Sequence, residues 1–148
     1  RKACPYPVCC PGEGCMGVIF DSSEIIAIER NREQAETIIA GREDEPFGIS
    51  VVTVAELLHG AERADTEMLR LKRQAFVEKI IELFPVFPFD ASVARIYARI
   101  WASLASKALT VGAHDMIIAA TAISLDFTVI TSNTRDFEKI EGLRLEKK

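Results

Sequence analysis

Gly17-Val18-Ile19-Phe20-Asp21-Ser22-Ser23 is a short apolar run that stops at an acid and passes into hydroxyl side chains. An apolar run of this length, bounded by capping residues, suits a strand buried on both faces. Ser22 or Ser23 can cap the helix that follows from Glu24. The pattern returns twice. Gly48-Ile49-Ser50-Val51-Val52 reads as a second buried strand, with Thr53 opening a helix over residues 54–64. Phe127-Thr128-Val129-Ile130-Thr131 reads as a third, ahead of a short helix through Phe137 and Glu138.

The intervening segments are mostly helical. Asn31 can cap a helix through Gln34, Ile38 and Ile39 that stops at Gly41. Asp65 can cap a longer one, in which Met68, Leu69, Phe76, Ile80 and Leu83 recur at helical spacing. Asp90 can cap a helix over residues 91–107, with Val93, Ile96, Tyr97, Ile100, Trp101 and Leu104 as its apolar face. Gly112-Ala113-His114 leads into a strongly apolar helix over residues 115–125. Residues 84–89 hold Pro85 and Pro88 and read as a short, edge-type strand. Leu143-Arg144-Leu145 can form a last small one. Apolar strands separated by helices imply an α/β fold with a mostly parallel sheet covered on both faces. In such sheets the functional crevice lies beyond the carboxyl ends of the strands, where the strand order reverses.

The chain has 148 residues, room for one domain with a proper core. No apolar run reaches the roughly 18 residues of a membrane helix. The N-terminal stretch lacks the apolar core of a signal peptide. Both readings point to the cytoplasm and away from a membrane. The net charge of −4 argues against a broad basic grip on nucleic acid. A nucleic-acid enzyme of this composition needs a local patch or a bound metal. Cys4, Cys9, Cys10 and Cys15 all precede Met16, among Pro5, Pro7 and Pro11. Their spacing does not match paired C-x2-C zinc ligands. Residues 1–15 therefore read as a leader or appended segment, with a small zinc knuckle as the alternative, and residues 16–148 as the folded domain.

Four acids fall at one edge of the expected sheet. Asp21 ends the first strand. Glu56 lies in the first turn after the second, Asp115 opens its apolar helix, and Asp136 follows the third strand. Crowded carboxylates repel one another, and a divalent cation relieves that repulsion. Oxygen ligands without a Cys or His partner select Mg²⁺ or Mn²⁺ over zinc. Such ions activate water and neutralise phosphodiester charge. Each acid also has a structural reading. Asp21 can be a helix cap, Thr53-Val54-Ala55-Glu56 fits a capping box, and Asp115 and Asp136 suit the positive ends of their helices. His114 reads as a loop or cap residue, and Trp101 with Phe84, Phe87 and Phe89 as core. The chain has no glycine-rich phosphate loop and no G-x-S-x-G.

Four segments carry a resemblance. They are Val18-Ile19-Phe20-Asp21-Ser22-Ser23; residues 49–60, around Thr53-Val54-Ala55-Glu56-Leu57-Leu58; Gly112-Ala113-His114-Asp115-Met116-Ile117-Ile118-Ala119-Ala120; and Val129-Ile130-Thr131-Ser132-Asn133-Thr134-Arg135-Asp136-Phe137. In this order and spacing, residues 17–145 resemble the PIN-domain family, and within it the VapC-type toxin ribonucleases. The resemblance implies a three-layer α/β/α sandwich. It implies a metal site on Asp21, Glu56, Asp115 and Asp136, supported by Ser22, Thr131 and Asn133. It further implies Mg²⁺- or Mn²⁺-dependent cleavage of RNA, a homodimer, and a small antitoxin whose basic segment lies along residues 54–83 and across the acids. Residues 1–15 have no counterpart in the family pattern, and Ala108-Leu109-Thr110-Val111 lacks the glycine or proline often found there. The competing readings are an RNA-processing PIN nuclease without an antitoxin and a non-catalytic PIN-like binding module. Retention of all four acids argues against the last.

Overall fold

The computed structural model describes residues 16–31, 40–42 and 44–148. The cysteine segment and the helix expected between Asn31 and Gly41 lie outside them. In chain order the elements are β1 Val18–Phe20, α1 Ser22–Arg30, β2 Phe47–Ser50, α2 Val51–Glu62, α3 Glu67–Leu83 and β3 Val86–Phe87. They continue with α4 Ala91–Ser106, α5 Ala113–Leu125, β4 Thr128–Thr131, α6 Thr134–Phe137 and β5 Arg144–Lys147. All strand pairs are parallel, in the order β3-β2-β1-β4-β5. β1 has β2 on one side and β4 on the other. The order therefore reverses at β1, and the crevice rule points to the ends of β1 and β4.

Side chains alternate across the sheet. Val18 and Phe20 pack with Ile25, Ile28, Leu57, Val77 and Ile80, beneath α1, α2 and α3. Ile19 and Val129 pack on the other face with Ile100, Leu104, Met116 and Ile118, from α4 and α5. This is the expected three-layer α/β/α sandwich. Each fully buried Ile or Phe contributes about 1.5–3 kcal/mol relative to exposure. Gly48 lets β3 lie close: a Cβ there would stand 2.6 Å from the Pro85 carbonyl oxygen.

The structure departs from the sequence reading at several points. β2 stops at Ser50, not Val52, because the Ser50 hydroxyl accepts the Val52 N–H at 3.3 Å and starts α2 there. Thr53 is thereby drawn inside the helix, fully buried, and its hydroxyl has no hydrogen-bond partner among the described residues. A buried orphan hydroxyl costs stability. Thr53→Val is accordingly expected to stabilise the fold by about 1 kcal/mol, read as a higher denaturant midpoint at unchanged slope. α3 is capped by Thr66 rather than Asp65, through the Leu69 N–H at 3.2 Å. Met68 and Leu83 are exposed, whereas Ile80 is buried as expected and Val77 joins it.

Trp101 is 60% exposed and does not join the core. α4 buries Val93, Ile100 and Leu104, and Trp101 lies about 100° round the helix from Ile100. It makes an edge-on contact with Tyr97, which also meets the exposed Phe89. Phe84 and Phe87 are buried as expected. No helix among the described residues is long and apolar enough to cross a membrane.

Candidate active site

Asp21 leaves β1 with extended backbone and caps α1, its Oδ1 accepting the Ser22 N–H at 2.8 Å. Its Oδ2 is held from the neighbouring strand end. The Thr131 hydroxyl donates to it at 2.8 Å and the Ser23 hydroxyl at 3.2 Å. The Ser22 hydroxyl is a weaker donor to Oδ1, at 3.4 Å. Thr131 in turn accepts the Asn133 backbone N–H at 3.0 Å. Asp21 as a whole is 5% exposed. Asp21 is thus a cap and a site residue together, one oxygen serving each role.

Asp115 stands in the first turn of α5, whose cap Gly112 offers no side-chain hydrogen bond. Among the described residues no donor reaches the Asp115 carboxylate. Its pKa is pushed up to about 6, first by burial, then by the charges of Asp21, Glu56 and Asp136, with His114 pulling the other way. A helix N-terminus favours a negative charge. Here desolvation and three neighbouring acids outweigh it.

Glu56 lies in the second turn of α2, so it does not close a capping box; the first turn of α2 holds no acid. The structural reading of Glu56 therefore fails, because α2 starts at Val51 and not after Thr53. Glu56 instead meets His114 Nδ1 at 2.8 Å, joining α2 to α5. Asp136 lies in the first turn of α6, and its Oδ1 accepts from the Lys139 ammonium at 2.7 Å.

The four acids lie near enough for Asp115 to feel the charges of the other three. Among the described residues no three acidic, His or Cys side chains already close on a common point. Three of them have separate partners: hydroxyls for Asp21, His114 for Glu56, Lys139 for Asp136. The donor set is carboxylate and hydroxyl oxygen, which suits a hard divalent cation, and the half-buried, unpartnered Asp115 carboxylate fits one.

Residues 18–143 match the family model described as the PIN domain. The chain belongs to the PIN-domain family. It is 38% identical over 133 residues to Ribonuclease VapC1 of Rickettsia felis, spanning 88% of this chain and 95% of that protein. Its fold matches that of DNA-bound VapBC from Salmonella typhimurium with a TM-score of 0.76 at 30% identity, covering 89% of this chain and 98% of that one. It also matches VapBC-5 of Mycobacterium tuberculosis, a member of the VapBC family of toxin-antitoxin systems, with a TM-score of 0.67 at 31% identity over 90% of this chain and 98% of that one.

This PIN domain uses residues that the sequence did not single out. Glu24 is 4% exposed and accepts from the Ser132 hydroxyl at 2.8 Å, tying α1 to the loop after β4. In sequence it looks like an ordinary first-turn acid. Ser23 carried a visible signal, standing beside Ser22 in the same motif. His114 was read as a loop or cap residue; it lies in α5, and its pairing with Glu56 crosses elements far apart in the chain. Asn133 acts here through its backbone N–H.

Proposed function

We propose that this chain is a divalent-metal-dependent endoribonuclease, the toxin of a toxin–antitoxin pair in the cytoplasm. Relatives named as VapC ribonucleases and VapBC complexes support that class. The observation that carries the chemistry is Asp115, half-buried and raised to about 6 among Asp21, Glu56 and Asp136 at the sheet's switch point. Asp21, Asp115, Asp136 and Glu56 would hold Mg²⁺ or Mn²⁺. Such an ion, when bound, polarises a phosphodiester and makes water a better nucleophile at neutral pH.

The protein's own part is placement. Thr131 and Ser23 fix the Asp21 carboxylate in one orientation, and Ser22 assists. Asn133 fixes Thr131 in turn. His114 and Lys139 steady the two outer acids. The phosphate grip falls to the site itself, since the chain as a whole is acidic.

A cleft of about 420 Å³ between α1, α2 and α3 opens beside Glu56, lined by Ile26, Leu57, Phe76 and Val77 with Lys72 and Arg73. An antitoxin segment with an apolar helical face fits this groove, and a basic extension would reach the acids. The exposed Trp101, beside the partly buried Tyr97 on α4, suits a homodimer contact. Labelled RNA incubated with the purified chain is expected to be cut in Mg²⁺ or Mn²⁺ and to survive in EDTA. Full cleavage in EDTA rejects the metal mechanism.

A further inference from the structure

Lys139 stands outside the acidic motifs, yet its ammonium makes two contacts that no other side chain duplicates among the described residues. It donates to Asp136 Oδ1 at 2.7 Å and to the Thr110 carbonyl at 3.0 Å. The Lys139 and Asp136 side chains are 29% and 33% exposed, so the pair is partly withdrawn from water. Thr110 belongs to the connection between α4 and α5, just ahead of Asp115. One cation therefore ties the element that delivers Asp136 to the connection that delivers Asp115. Lys139 also lines a cleft together with Ile96, Ile100, Ile123 and Ile140.

The tied connection is under strain. Ala108 there has φ +55°, a left-handed conformation that a residue with a Cβ resists. Such conformations persist where surrounding contacts over-determine them. A second contact joins the same two segments: Lys107 pairs with Glu141 at 2.7 Å. That pair touches none of the four acids, so it serves as an internal control for Lys139.

We propose that Lys139 is a positioning residue of the nuclease site: it sets the spacing of Asp136 and Asp115 and thereby the fit of the crevice to a divalent cation. This rests on the metal-nuclease reading above. Two effects of removing Lys139 oppose each other. Loss of its positive charge would tighten cation binding, and loss of placement would weaken it. Water screens the first at a site about a third exposed. Loss of a group that orients a ligand costs about 10- to 100-fold in metal affinity. Placement wins.

The test is calorimetric Mn²⁺ titration of the purified full chain, with RNA cleavage kinetics and thermal melts, on the wild type, Lys139→Met, Lys139→Arg and Glu141→Gln. Lys139→Met is expected to weaken Mn²⁺ binding about 10- to 100-fold and to lower kcat, with KM for RNA unchanged. Lys139→Arg is expected to recover most of both, because a guanidinium also reaches two acceptors. Glu141→Gln is expected to bind Mn²⁺ as the wild type does. Lys139→Gln, which can still donate to one acceptor, is expected to fall between Lys139→Met and the wild type in Mn²⁺ affinity, and wild-type affinity there overturns the proposal should Lys139→Met not fold. Wild-type Mn²⁺ affinity in Lys139→Met overturns the proposal, and so does tighter binding, which would make Lys139 a competitor for the site. A defect confined to KM would make it an RNA contact, and an equal defect in Glu141→Gln would make the tie merely structural. If the wild type itself binds no Mn²⁺, the metal reading has failed, and the proposal with it.

Discussion

Asp21→Asn is expected to cut RNA at least about a thousandfold more slowly than the wild type while folding almost normally. Two roles meet at this residue, and the substitution separates them. Asn caps a helix about as well as Asp, so the Ser22 N–H keeps its acceptor. The Thr131 and Ser23 hydroxyls can rotate to accept from the new amide N–H groups. Stability is expected to change by less than about 1 kcal/mol in a denaturant melt. What disappears is the negative charge at the sheet's switch point. Asp21→Ala is the contrasting variant: it loses charge and cap together and adds a stability loss of about 1 kcal/mol or more. Cleavage by Asp21→Asn at the wild-type rate would remove this residue from the chemistry.

Asp115→Asn is expected to be inactive and more stable than the wild type. The raised carboxyl pKa means that the folded chain binds more protons than the unfolded chain between pH 3.8 and about 6. Stability therefore falls as pH rises through that window, and the loss persists at neutral pH. After discounting for solvent at this half-buried position, the strain is about 1–2 kcal/mol. Removing the charge should raise Tm by roughly 3–6 °C in metal-free buffer at pH 7.5. The gain should vanish near pH 4, where the wild-type carboxyl is already protonated. Mn²⁺ affinity of the wild type is expected to drop about tenfold for each pH unit below about 6, because a proton then competes for Asp115. An Asp115→Asn protein less stable than the wild type at pH 7.5 would contradict the like-charge account. The pair of outcomes describes a common bargain: a site that holds charge together for function weakens the fold that carries it.

Much of this arrangement was legible in the chain. Val18-Ile19-Phe20 and Val129-Ile130 are apolar without alternation because a parallel strand covered on both faces has no wet side. That property announces itself without knowledge of the partner strand. Asp21 stands where the first such strand ends. Boundaries were harder. Thr53 and Ser50 both suit a helix start, and the local sequence does not choose between them; the ladder to β3 extends only to Ser50, which leaves its hydroxyl free to cap. Trp101 looked like core because it sits on the apolar side of α4, yet Ile100 and Leu104 already fill the space against α5.

The sequence by itself determined the α/β class and the order of the described elements, and put four acids forward as candidates, since these depend on short-range patterning and on where strands end. Only the tertiary structure decided which partners those acids have. Thr131 reaching Asp21, His114 reaching Glu56, and Lys139 joining Asp136 to Thr110 are contacts made by folding. All three join distant segments, and no local periodicity encodes such a distance. The raised pKa of Asp115 belongs to the same category: it arises from burial and from three charges brought near by the sheet.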